Sequence, residues 1–448
     1  MSTVQRNMSL TGEPPKSINT LQKVATFIGV FGLGILLLAG FNIDFPNKAV
    51  WLTVALTLIT LGVVLFAKGA YGSKHEGIKN DGVWFKSISG RGYLGWVTGI
   101  LLTGFYIVLY FFPKFLGLHS EGSNTGVISL FDPLSIVLSG NPASQWFVYG
   151  TLYTVAILAF GIKFMWKYKH NRYEQLRTIS VMFFQTAFAF MIPELMARLN
   201  SDNFSLPYND LKNMWPLNYY AFDQWRVDEF INAETIGLVF LLFGVLSIFV
   251  VSPILTYKYG KRWYCSWVCG CGGLAETAGD SFRQLSDKSM FAWKVERWVV
   301  HSVLVFSIVM TTAVISTYLD YDATKYWLTK DLFLVGVAVF LGLLFAGIWY
   351  FKKEELAKDA RYGAIGYLVL ILSLIGIHYF SGNELFLFEA GKLRSFYGFL
   401  IGAIFSGVIG TGFYPIFGNR VGCRMGCPLA ARLGLQQRRL SMCRWRSE

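Results

Sequence analysis

Ten stretches of the chain are almost unbroken in apolar residues: Val24 to Phe41, Ala49 to Ala67, Tyr93 to Phe112, Ser144 to Trp166, Thr178 to Leu195, Glu234 to Tyr257, Trp298 to Tyr318, Leu332 to Phe351, Tyr362 to Phe380 and Phe396 to Phe417. Each approaches or exceeds the roughly 17 residues that a helix needs to cross a ~30 Å hydrocarbon core. Inside lipid the backbone must satisfy its own polar groups, so runs of this length predict helices. The pattern thus implies an all-α, polytopic membrane bundle of about ten transmembrane helices. It divides the chain into an N-terminal segment (1–23), spans one to six (24–257), a polar loop (258–297), spans seven to ten (298–417) and a tail (418–448). The longest loop on the opposite side, Ala197 to Ala233, is rich in aromatics and turn residues and mildly acidic. It reads as an interfacial cap, or as a docking or quinone-entry surface.

Composition agrees with the pattern: 54% of the 448 residues are hydrophobic and 15% charged, with mean hydropathy +0.45. A net charge of +13 raises the question of nucleic acid. The distribution of that charge answers it, because membrane proteins concentrate Lys and Arg on cytoplasmic loops. With Lys163 at the end of its span included, 31 of the 40 Lys and Arg fall on one side of the ten spans and 9 on the other. That asymmetry places both termini and the loops 68–92, 167–177, 258–297 and 352–361 in the cytoplasm and removes nucleic acid as a partner. The first apolar run, behind a long polar N-terminus, reads as a retained helix rather than a signal peptide.

The chemistry is concentrated in the cysteines. Of six, Cys265, Cys269 and Cys271 lie in KRWYCSWVCGCGG, and Cys423 and Cys427 in GNRVGCRMGCP, while Cys443 stands alone. Aligning Cys265 with Cys423 brings Gly260, Arg262, Cys265 and Cys269 onto Gly418, Arg420, Cys423 and Cys427. The shared pattern, G-x-R-x-x-C-x-x-x-C after an apolar helix, suggests an internal repeat, and such repeats often meet at a site. On one helix, residues four apart share a face with Cβ atoms about 5–6 Å apart. Two such pairs, Cys265 and Cys269 with Cys423 and Cys427, supply the four thiolates of a [4Fe–4S] cluster. Gly418 and Gly422 would let backbone N–H groups approach the cluster, and Arg262 and Arg420 would supply positive charge beside it. Cys271 is open between replacing a ligand, binding a second centre and staying a thiol.

Other readings use the same residues. Thiolates also bind zinc or copper(I), so a copper-binding or copper-reducing membrane protein is one alternative. A transporter or assembly factor with incidental cysteines is the other. Lys163, close enough to the cytoplasmic end to snorkel, and Glu194 near an outer end form no chain of intramembrane charges, which weakens transport. His301 and His378 sit near opposite ends of their spans, roughly 20 Å apart in depth at 1.5 Å per residue, so one haem cannot join them. His75 and His170 fall in cytoplasmic loops and His119 outside, leaving His301 as the one candidate for a second site toward a quinone or the cluster.

The segments YCSWVCGCGGLAETAGDSFRQLSDKS and GVIGTGFYPIFGNRVGCRMGCPLAA resemble the membrane-bound polyferredoxins of the NosR and NapH type, over about Val251 to Gly434. The resemblance implies a bacterial inner-membrane electron-transfer component rather than a stand-alone enzyme. It would pass electrons between the quinone pool or a membrane partner and a cytoplasmic carrier through a 4Fe-4S cluster on Cys265, Cys269, Cys423 and Cys427. Gly270 stands where that family has Pro, with Cys271 added. The chain ends LGLQQRRLSMCRWRSE, where the family continues into C-x₂-C-x₂-C-x₃-C-P cassettes, so a separate ferredoxin or reductase subunit is expected as partner.

Overall fold

The computed structural model describes residues 18–72, 90–119, 123–200, 206, 210–211, 213–321, 327–356, 358–381 and 390–436. His75, Cys443, the first 17 residues and the tail from 437 lie outside them, as does the side chain of His378. Among the described residues there is no strand, and ten helices are long and apolar enough to cross a membrane. They are α1 (Thr20–Gly40), α2 (Lys48–Tyr71), α3 (Tyr93–Phe111), α5 (Gln145–Lys167), α6 (Arg172–Leu199), α8 (Glu234–Tyr259), α11 (Met290–Tyr321), α12 (Lys330–Lys352), α13 (Lys358–Ser381) and α14 (Ala390–Gly412). Each coincides with one of the ten apolar runs. Two shorter helices fall in stretches that read as loops, α4 (Gly126–Ser139) and α7 (Gln224–Asn232). Four more complete the set: α9 (Trp263–Trp267), α10 (Gly270–Thr277), α15 (Tyr414–Phe417) and α16 (Pro428–Gln436).

The chain forms two compact units, each discontinuous in sequence. The first takes residues 1–212, 264–287 and 407–422. At its centre runs α5, with 56% of its most apolar window buried, against 28% or less for α1, α2, α3 and α6. Leu36, Leu52, Leu109, Ile128, Phe131 and Phe147 pack into one core, which is why α4, too short to span, is nonetheless largely buried. The outward faces of α1 and α3 carry Phe27, Phe31, Ile100 and Leu101, all more than half exposed. Apolar side chains in that position suit a lipid-facing surface, where burial against protein is not required.

The second unit takes residues 213–263, 288–406 and 423–448. Leu334 and Leu341 of α12 pack on Ile371 and Ile375 of α13, and Val303 and Met310 of α11 pack on Tyr397 and Ile401 of α14. The described part of the long polar loop is tied into this unit. The indole nitrogen of Trp215 donates to Thr311 Oγ1 at 2.9 Å, and Arg394 pairs with Asp223 at 3.2 Å. Burial raises the Asp223 carboxyl above its usual range despite that arginine.

Candidate metal centre

In the first unit, the cysteine segment begins where α8 stops. Gly260 ends that helix with φ 85° and ψ 169°, a backbone conformation that only glycine adopts without strain. The chain then makes α9, one short turn carrying Cys265, and leaves helical geometry before Cys269. Both Val268 and Cys269 donate their N–H to the carbonyl of Tyr264 at 2.9 Å. Cys269, extended at φ −70° and ψ 126°, is the residue immediately before α10. Cys265 and Cys269 are thus not four apart on one helix. A bend separates them, and the expectation of a shared helical face is corrected. The cause is the run Gly270, Cys271, Gly272, Gly273: a side chain at Gly272 would collide with the carbonyl of Cys265, so only glycine lets the second helix fold back on the first.

The depth of this segment also differs from expectation. Cys271 lies within electrostatic reach of Tyr106, Tyr149 and Tyr153, and Cys269 of Tyr153. Tyr149 and Tyr153 belong to the first half of α5, whereas Asp280 pairs with Lys167, the last residue of that helix. The segment therefore runs alongside α5, with Cys269 and Cys271 near the tyrosines of its first half. The loop expected at the membrane surface is a segment turned back into the bundle, a placement tolerated where irregular backbone is buried in protein.

Buried ion pairs hold it there. Lys163, 1% exposed, donates to Ser281 Oγ at 3.0 Å, and Lys167 meets Asp280 at 2.6 Å with both side chains 2% exposed. Lys163 does not snorkel. It is consumed by an internal contact. Tyr168 adds a bond to Asp280, and burial, then that carboxylate, pushes its hydroxyl far up. Glu276 sits between Arg177, at 2.9 Å, and Arg420. The side-chain amide of Asn419 donates to the carbonyl of Ala275, and the Ser180 hydroxyl to that of Trp267. Glu276 and Asp280, four apart in an otherwise apolar stretch, and Lys163 and Lys167, four apart at a span end, were the sequence signals for this network.

The second cysteine segment repeats the local conformation. Gly418 ends α15 with φ 92° and ψ 176°, close to the angles of Gly260, and the backbone N–H of each bonds a carbonyl four residues back. Gly418 serves helix termination and the close approach of Ser286, whose backbone fills the space of a side chain there. Arg420, expected beside a cluster, is the arginine paired with Glu276, while Arg262 is exposed in the turn after Gly260. Cys423 lies in a π-helical turn, Gly422–Gly426, and Cys427 immediately precedes α16.

In the second unit this segment too turns inward. Arg424 pairs with Glu296 of α11 at 2.6 Å, Gly426 packs against the Phe405 ring, and Cys427 lies within electrostatic reach of Tyr397. Helix α16 then runs along α8. Arg432 donates to the carbonyls of Trp215 and Ile248, the latter within the π-helical turn Ser247–Val251 in mid-span, and Gln436 comes beside Tyr257 and Lys258. A π turn leaves carbonyls out of the regular ladder, and Arg432 uses one. Burial lowers its pKa to about 10.

The donor chemistry fits an iron–sulfur cluster. The five cysteines among the described residues are thiols rather than disulfides, and Cys269 and Cys427 stand at the N-terminal ends of α10 and α16, where backbone N–H groups favour negative charge. Among the described residues no three Cys, His, Asp or Glu side chains come together as a metal-holding group. Residues 241–289 match the family model of a 4Fe-4S binding domain, a span that contains Cys265, Cys269 and Cys271. No curated protein and no solved structure matches the chain. It is an iron–sulfur protein with ten helices suited to a membrane, and a 4Fe-4S cluster is its cofactor.

Proposed function

We propose that this chain is a membrane-embedded electron relay of the NosR and NapH type, passing electrons between the quinone pool or a membrane partner and a cytoplasmic carrier. The observation that carries the reading is the 4Fe-4S binding match over Cys265, Cys269 and Cys271 within a chain of ten apolar helices. A four-iron cluster takes four thiolates, and the first motif has three cysteines. In this reading the set is Cys265, Cys269, Cys423 and Cys427, as the repeat and the resemblance imply, with Cys271 within electrostatic reach of the tyrosines of α3 and α5. Once bound, the cluster supplies one-electron chemistry.

The chain's own residues hold and surround it. Cys269 and Cys427 stand at the starts of α10 and α16, the buried ion pairs fix the first segment, and Arg424 with Glu296 fixes the second. Lys and Arg distribution supports both termini in the cytoplasm, and the resemblance supports a bacterial inner membrane. A separate ferredoxin or reductase subunit would receive or supply the electrons.

Single Cys→Ser variants at 265, 269, 423 and 427 are expected to lose more than half of the iron after anaerobic purification, with Cys271→Ser keeping it. Full iron in Cys423→Ser and Cys427→Ser would remove the second motif from the ligand set. Copper in place of iron after expression with both metals would overturn the iron–sulfur relay.

A further inference from the structure

We propose that the second unit carries a binding site for a quinol, centred on His301. This inference rests on the electron-relay reading and gives it a lipid-soluble partner. Between α11, α12 and α13 lies a cavity of about 180 Å³, walled by residues such as Trp298, Leu341, Trp349 and Ile371. Its lining is apolar except for Arg297, His301 and Tyr367. The Tyr367 hydroxyl is bonded to Ser302 at 2.8 Å, and the Arg297 guanidinium lies over the Trp293 ring at 4.6 Å. His301 differs. Its Nδ1 donates to the Arg297 carbonyl at 2.5 Å, but its Nε2 is buried without a hydrogen-bond partner.

A buried polar atom left unmatched costs more than its hydrogen bond contributes, so such an atom on a cavity wall marks where a ligand group belongs. The tautomer says which group. With Nδ1–H committed to a carbonyl, the neutral ring presents Nε2 as an acceptor, so the ligand must donate. An apolar molecule with a hydroxyl donor, reached from within the membrane, is met by the ring and hydroxyl of a quinol. The oxidised quinone offers only acceptors.

The site is also joined to the cysteines. Leu435 forms part of the cavity wall, and it lies on α16, the helix that begins immediately after Cys427. At 1.5 Å per residue the two ends of that helix are roughly 12 Å apart. Glu296, which pairs with Arg424 between the two cysteines of the second motif, is five residues before His301 on α11. A quinol at His301 thus sits one short helix from the second cysteine pair, inside one unit of the fold.

The test uses the full chain in detergent, both iron-free and reconstituted, with decylubiquinol, decylubiquinone and the dimethyl ether of decylubiquinol as probes. Quenching of the wall tryptophans, Trp298 and Trp349, reports binding without requiring a cluster. Decylubiquinol is expected to bind at least tenfold more tightly than the quinone or the diether, the size of one hydrogen bond. His301→Phe should remove that discrimination, His301→Gln, which can still accept through its amide oxygen, should restore most of it, and Ala364→Trp should fill the cavity and abolish binding. Equal binding of quinol and diether, as for a site that takes any acyl chain, overturns the proposal. So does unchanged quinol binding in both His301→Phe and Ala364→Trp. Specific binding to a protein that cannot be loaded with iron would uphold this site and sink the relay reading. An iron-loaded protein without quinol discrimination would do the reverse.

Discussion

Gly260 and Gly418 show how single residues set the geometry around the thiols. Both end a helix at positive φ, and each is followed five and nine residues later by a cysteine. Gly260→Ala is expected to cost about 1 kcal/mol, the backbone penalty alone, because open space surrounds that position. Gly418→Ala should cost more, since the backbone of Ser286 occupies the space of its Cβ. Thermal unfolding in detergent, read by circular dichroism, would rank the two. The sequence made the cysteines and both glycines legible, because rare residue types at matched spacing survive in a low-diversity apolar background. It did not show their structural partners: Gly418 ends α15 against Ser286, and Arg420 pairs with Glu276.

At the scale of elements, spans were legible and re-entry was not. A helix crossing lipid writes its length into the hydropathy, whereas α9, α10 and α16 are short, mixed in polarity and indistinguishable from surface loops by composition alone. What turns them inward is pairing. Glu276 and Asp280 enter the bundle only because Arg177, Arg420 and Lys167 meet them there. Removing one partner of such a pair strands a buried charge, so Asp280→Ala should destabilise the protein by about 3–5 kcal/mol. The double variant Lys167→Met with Asp280→Leu should recover most of that loss, since apolar replacements of a buried pair are often neutral. A detergent melting series on the three variants checks both statements. For α16 the corresponding residue is Arg432. Arg432→Met would leave the Trp215 and Ile248 carbonyls short of a donor and is expected to cost about 2 kcal/mol and lower iron retention, measured as iron per chain after gel filtration.

For the whole molecule, the two cysteine motifs fall in different units, Cys265, Cys269 and Cys271 in the first and Cys423 and Cys427 in the second. The chain passes from the second unit to the first just before Cys265 and returns just before Cys423. Neither motif alone carries four cysteines. Depth is the second whole-molecule consequence. With Cys269 5% exposed and within electrostatic reach of Tyr153, a charged, membrane-impermeant maleimide should label it at least tenfold more slowly than denatured protein, from either side of sealed vesicles. Equal labelling rates would return the motif to the surface.

We have proposed one four-iron cluster on thiolates drawn from both motifs. Its most direct measurement is iron content with low-temperature EPR of the anaerobically purified full chain, before and after dithionite. About four irons per chain and a reducible cluster signal are expected, both lost in the Cys265→Ser, Cys423→Ser double variant. Colourless protein without iron after reconstitution, or a full signal in that double variant, would contradict it.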